Sequence, residues 1–118
     1  MLRTIPQQKK FLNKMVKVKI DRPLGSKHPK YKDSIYPINY GFIEGTKAPD
    51  GEEVDAYILG VDKPLREFEG KCIAVIQRED DNDDKLIVIP KEKEFSDKEI
   101  LKLVNFQEKY FKPKTIRE

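Results

Sequence analysis

Asp50-Gly51-Glu52-Glu53-Val54-Asp55 sets four carboxylates around one glycine and runs into the apolar stretch Val54, Ala56, Tyr57, Ile58, Leu59. A surface turn accounts for the Asp-Gly pair, because glycine tolerates positive φ and aspartate bonds to nearby backbone. It does not account for Asp55, which sits inside the apolar run and needs a partner for its charge. Oxygen-only side chains at this spacing suit a hard divalent cation such as Mg²⁺, which takes one or two carboxylates plus waters and substrate phosphates. A glycine turn leading into a strand lets Asp50, Glu52 and Asp55 converge on one side, since strand side chains alternate between two faces. Asp80, Asp81, Asp83 and Asp84 form a second acidic cluster on a loop that ends at Lys85. Either cluster alone reads as a solvated turn. Two facing each other would raise each other's pKa values unless a cation neutralised them, which favours a multi-metal site.

The remaining chemistry-bearing residues are sparser. His28 reads as a surface or satisfied histidine, and Lys30 and Lys32 beside Tyr31 offer donors to an anionic substrate or form a solvated face. Tyr36, Tyr40 and Tyr57 read as core or edge aromatics. Cys72, the one cysteine, lies in "KCIAVIQ" and reads as a small core residue rather than a nucleophile. Phosphate-cradling glycine loops, Ser-His-Asp sets and zinc-spaced ligands are all missing, so covalent catalysis is not expected.

Strands must carry most of these groups. "VKVKI" (16–20) alternates apolar and cationic residues with a period of two, and "IYPINYGFI", "VDAYILGV", "KCIAVIQRE" and "KLIVIP" are further strand candidates. Pro23, Gly25 and Pro29 keep the stretch after the first strand irregular. Ser96-Asp97-Lys98-Glu99 is a capping box, and Ile100, Leu103, Val104, Gln107 and Phe111 then share one face of a helix expected from about 97 to 111. The fold class is mainly β (α+β): several short antiparallel strands and one packing helix, closed into a small barrel that removes exposed edges. The first dozen residues and the last few, "KPKTIRE", are expected to be loosely held.

With 118 residues the chain holds one domain, 1–118, and a single modest core. Charged residues make up 38%, and no apolar run approaches the roughly 20 residues of a membrane span. "MLRTIPQQKKFLNKM" lacks a signal peptide's apolar segment, so a cytoplasmic protein with no membrane partner is expected. The net charge of +3 conceals an acidic centre: residues 50 to 84 carry twelve acids and four bases.

"YPINYGFI", "PDGEEVDAYILG" and the acidic loop running into "DDKLIVIP" together resemble the signature of the soluble (family I) inorganic pyrophosphatases. The resemblance covers about residues 16 to 112 and implies an OB-like five-stranded barrel with a C-terminal helix. It implies divalent-metal-dependent hydrolysis of pyrophosphate to two phosphates, with Mg²⁺, or else Mn²⁺ or Co²⁺, activating water. By the same resemblance Asp50, Asp55, Asp80, Asp83, Asp84 and the outer Asp21 would be metal ligands, with the register of the 80–84 loop open by one residue. Glu52 would orient the attacking water, and Lys85, with Lys30, Tyr40 and Tyr110, would contact phosphate oxygens. The chain departs from the family pattern in a shortened Lys30 to Tyr36 segment, which omits an arginine-bearing hairpin. Lys32 stands where an acid is usual, Glu52-Glu53 replaces Asp-Pro, and Phe111 replaces a lysine.

Two alternatives follow. One is a pyrophosphatase-like protein with weak activity or another phosphoanhydride substrate. The other is an OB-like nucleic-acid-binding module using the basic termini, although the acidic centre would repel phosphates and no nucleic acid partner is expected. Sheet edges and the helix offer surfaces for a homo-oligomer.

Overall fold

The computed structural model describes residues 7–30, 33–46, 52–78 and 84–117. A short 3₁₀ turn, Gln7–Phe11, precedes β1 (Met15–Arg22); β2 (Asn39–Ile43), β3 (Val54–Ile58), β4 (Glu67–Arg78) and β5 (Lys85–Ile89) follow, then α1 (Asp97–Glu108) and β6 (Pro113–Ile116). The sheet runs β1-β2-β3-β5-β4, and a β1–β4 pairing closes those five strands into a barrel, as the OB-like expectation required. β4 is the long strand that makes closure possible. Its first half pairs with β1, its second half with β6, and its other edge with β5.

Three expectations need correction. β3 and β5 pair in parallel, not antiparallel, because the chain crosses through β4 before returning beside β3. The tail is not loose: Pro113–Ile116 satisfies the β4 edge from Val75 to Arg78. At the other end Gln8 and Leu12 are buried, and Asn13 and Cys72 tie the segment to β4 through backbone bonds.

β3 and β5 are buried on both faces, which is why their apolar runs are continuous, whereas β1 alternates between buried and exposed residues. Val18, Val54, Ala56, Ile58, Leu86 and Val88 fill the interior. The opposite face, with Tyr57, Ile76 and Ile87, is covered by Ile100 and Val104 of α1. Cys72 is buried as a core residue, its thiol pushed up to about 12 by burial. The helix opens on the capping box, with Glu99 N–H donating to Ser96 Oγ and Ser96 N–H to Glu99 Oε1, and ends at Glu108, three residues short of the expected 111. Gly41 is required by contact: a Cβ there would stand 1.9 Å from the Lys19 carbonyl oxygen of β1. Among the described residues no helix is long and apolar enough to cross a membrane.

Candidate active site

Three neighbouring strands bring Tyr40, Asp55 and Lys85 onto the face that α1 covers. Tyr40 opposes Tyr57 across β2–β3, and Asp55 opposes Lys85 across the parallel β3–β5 pair. Residues opposed in register point to one face, so all three side chains converge. Asp55 Oδ2 accepts from the Tyr40 hydroxyl at 2.5 Å and from Lys85 Nζ at 2.8 Å. The Lys85 side chain is only 2% exposed, against 28% for Asp55. A buried ammonium is tolerable only when paired and hydrogen-bonded, and Lys85 also lies 5.3 Å from the centroid of the Tyr40 ring. The partner that Asp55 demanded is present, and it is an ammonium.

A β-bulge supplies the next pair. Ile20 opposes Gly41 and Arg22 opposes Tyr40, so Asp21 is an extra residue in β1. Bulges re-aim side chains, and here the successive Asp21 and Arg22 both line the same cleft as Asp55. Burial raises the Asp21 carboxyl above its ordinary value; Arg22 opposes that rise, and the Asp55 charge adds to it. Two mutually repelling carboxylates with a hard oxygen donor set fit a divalent cation. Among the described residues no three acidic, histidine or cysteine side chains cluster closely enough to hold a metal ion.

The cleft, of about 280 Å³, also receives Lys30, Arg78 and Lys85. Of the residues expected to bind metal or substrate, it unites Asp21, Lys30, Tyr40, Asp55 and Lys85, and it adds His28 and Tyr36, which were read without a site role. Asp84 is fully buried immediately before Lys85. Glu52 is exposed, two residues before β3, and does not line the cleft. Tyr110 is 45% exposed and also lies outside it. At the end of the helix the cleft takes Phe111 instead, whose ring lies 3.6 Å beneath the Arg78 guanidinium. Asp50, Asp80 and Asp83 lie outside the described residues. A roomier concavity of about 750 Å³ beside the start of α1 contains none of the predicted residues.

A model of the inorganic pyrophosphatase family matches residues 5–116. The chain belongs to the inorganic pyrophosphatase family. It is similar to the inorganic pyrophosphatase of Aeropyrum pernix, 38% identical over 80 residues that cover 64% of this chain and 42% of that protein. The Saccharolobus solfataricus inorganic pyrophosphatase is 35% identical over 80 residues, 64% of this chain and 43% of that one. The chain thus spans less than half the length of these curated relatives. Among solved structures, the Ehrlichia chaffeensis inorganic pyrophosphatase superposes with a TM-score of 0.68 at 19% identity, covering 90% of this chain and 87% of that one. The Thermus thermophilus inorganic pyrophosphatase gives 0.59 at 22% identity, covering 88% and 82%. At that identity the likeness establishes the shared fold.

In this pyrophosphatase-family chain two cleft residues escaped sequence reasoning, Arg22 and Arg78, as did Glu108, which pairs with Arg78 from α1. Two signals were available. Gln107 fell on the apolar stripe of α1 without a role, and Arg78 closed an apolar strand; a polar group on a buried stripe implies a polar partner opposite. The motif asparagine Asn39 also has a definite task. Its Oδ1 accepts from Leu24 N–H at 2.9 Å and Leu65 N–H at 3.0 Å, and its Nδ2 donates to the Lys63 carbonyl at 2.9 Å. It pins two loops rather than touching the cleft.

Proposed function

We propose that this protein hydrolyses inorganic pyrophosphate to two phosphates with the help of divalent cations, Mg²⁺ first and Mn²⁺ or Co²⁺ as substitutes. The observation that carries the reading is Asp55, half-buried and held between Tyr40 and Lys85 in a cleft that also gathers Asp21, Arg22 and Lys30. A tetra-anionic substrate needs cations around it and a carboxylate set to hold metal beside it. The cleft supports this reading in gathering Arg22, Lys30, Arg78 and Lys85 with the carboxylates of Asp21 and Asp55.

Asp55 and Asp21, joined by Asp50, Asp80, Asp83 and Asp84 from the two acidic segments, are the proposed metal ligands. The chemistry a divalent cation supplies there is Lewis-acid polarisation of phosphoryl oxygens and acidification of water. Lys85 and Lys30 donate to phosphate oxygens and orient the anhydride; Tyr40, whose one hydroxyl proton goes to Asp55 here, would turn it to phosphate once a cation takes that carboxylate. Glu52 is proposed to orient the attacking water from the segment that enters β3, and Tyr110 to contact phosphate from the end of the helix. Water adds to one phosphorus, the bridging P–O bond breaks, and the second phosphate leaves with the bonding pair. We place this work in the cytoplasm, on pyrophosphate released by biosynthetic reactions.

The nucleic-acid alternative draws no support from the aromatics. Tyr36, Tyr40 and Tyr57 are buried against one another, with centroids 5.6 and 5.0 Å apart along the series, and present no faces on which bases could stack. The deciding experiment measures phosphate release from pyrophosphate with Mg²⁺, Mn²⁺ or Co²⁺ against a chelator control. No metal-stimulated release would sink the proposal. Glu52→Gln should lower kcat about a hundredfold if that carboxylate orients the water, and unchanged turnover would remove it from the role.

A further inference from the structure

One wall of the cleft holds a run of hydrogen bonds whose direction is fixed from one end. Arg78 Nε and Nη2 donate to Glu108 Oε1 and Oε2 at 3.0 and 2.7 Å, and both side chains are almost wholly buried. A carboxylate clasped in this way only accepts. Tyr57 therefore gives its single hydroxyl proton to Glu108 Oε2, at 2.6 Å, and takes the Gln107 Nε2–H, also at 2.6 Å. That pairing settles the Gln107 amide: its Oε1 faces Tyr36 and His28, receiving the Tyr36 hydroxyl at 3.1 Å and meeting His28 Nε2 at 2.7 Å. An amide oxygen cannot donate, so His28 Nε2 must carry a hydrogen. On the other side of the ring, the Lys30 backbone N–H donates to His28 Nδ1 at 3.0 Å, which requires a lone pair there.

We propose that His28 is a positioning residue, locked as the neutral Nε2–H tautomer by this chain from Glu108, and that it fixes the backbone from which Lys30 reaches the cleft. The ring has little freedom to turn away, because it stacks on Tyr36 with centroids 5.3 Å apart and planes within 3°. Burial pushes the Tyr36 hydroxyl up to about 12 and the Tyr57 hydroxyl well above 10, so both phenols keep the protons that the chain uses. The charged pair between β4 and α1 thereby orients a loop between β1 and β2. The value of that order to substrate binding rests on the pyrophosphate reading; the tautomer and the loop anchor do not.

His28 is the only histidine of the chain, so a ¹⁵N spectrum of the intact protein shows a single imidazole. The expected pattern is a pyridine-type Nδ1 and a pyrrole-type Nε2; the reverse assignment, or an average of the two, overturns the lock. Two variants then separate the ring's two contacts. His28→Asn puts an oxygen where Nδ1 stood and keeps an acceptor for Lys30 N–H, whereas His28→Gln reaches Gln107 and loses that acceptor. Amide exchange at Lys30 should accelerate about tenfold or more in His28→Gln and stay within about threefold of wild type in His28→Asn. With pyrophosphate, His28→Gln should raise KM about tenfold with kcat within about twofold, and His28→Asn should restore KM, because a phosphate held equally in ground and transition states affects KM alone. Equal Lys30 exchange in the two folded variants overturns the positioning role. If wild-type protein releases no phosphate at all, the pyrophosphate reading fails, and the spectrum and the exchange rates still decide the fate of His28.

Discussion

Asn39 shows how a motif residue can be essential without touching chemistry. It is fully buried and makes three hydrogen bonds to the backbones of two loops. Replacing it with alanine leaves two N–H groups and one carbonyl without these partners, so Asn39→Ala should lower stability by about 2–4 kcal/mol, measured by urea unfolding. A loss below about 0.5 kcal/mol would mean that water substitutes fully. Asp55 sits at the other extreme. Asp55→Asn should abolish metal-dependent turnover, yet asparagine still offers Lys85 an acceptor, so the fold should survive at a cost of about 1–2 kcal/mol. Turnover within a few-fold of wild type would remove Asp55 from the metal site. The sequence displayed Asp55 because a carboxylate inside an apolar run is conspicuous. It hid the Lys85 contact, because a parallel register between strands separated by the whole of β4 leaves no local mark.

At the level of elements, α1 was legible almost in full: its capping box and apolar stripe are local signals, and only its last turn was misjudged. Its attachment to the barrel was not legible, because that depends on Glu108 meeting Arg78 from a distant strand. Removing one member of such a buried pair should cost about 3–5 kcal/mol, whereas Arg78→Met together with Glu108→Leu should cost well below the sum of the single losses, the remainder of about 1–3 kcal/mol coming from the Tyr57 hydroxyl that loses its acceptor. A double-mutant cycle by thermal or urea unfolding checks this, and additive losses would show that the two charges act independently. The start of α1 carries a milder dependence on pH. Bonds from the Ser96 backbone and hydroxyl hold the Glu99 carboxyl below its ordinary value of 4.5. A carboxyl depressed by folding contributes stability above its unfolded pKa and loses it as pH falls through the folded one. The helix start should therefore weaken as pH drops below about 4.5, and Glu99→Gln should flatten that part of the stability profile.

For the whole molecule, closure of the barrel was legible from strand count and the need to hide edges, and its sheet order was not. The bulge at Asp21 was equally hidden, since nothing in "KIDRP" separates a bulged strand end from a regular one. Residues 50 to 84 concentrate twelve acids against four bases, and that charge should make the fold respond to metal. Mg²⁺ at a hundredfold excess over Kd should add about 2.7 kcal/mol of stability, because it binds the native chain and not the unfolded one. An unchanged Tm, compared with monovalent salt at equal ionic strength, would argue against a preformed site. Asp55→Asn should blunt the shift.

The pairing of Pro113–Ile116 with Val75–Arg78 has a consequence for handling the protein. That stretch of β4 is almost wholly buried, and β6 is the ribbon that hides its backbone rim. Trimming the chain before Lys112 would uncover four successive residues of N–H and C=O groups on an apolar strand, a template for strand addition between molecules. The trimmed protein should form oligomers or precipitate in light scattering while the intact chain stays dispersed at equal concentration. In this small barrel β6 covers an edge of β4 that would otherwise be open to strand addition.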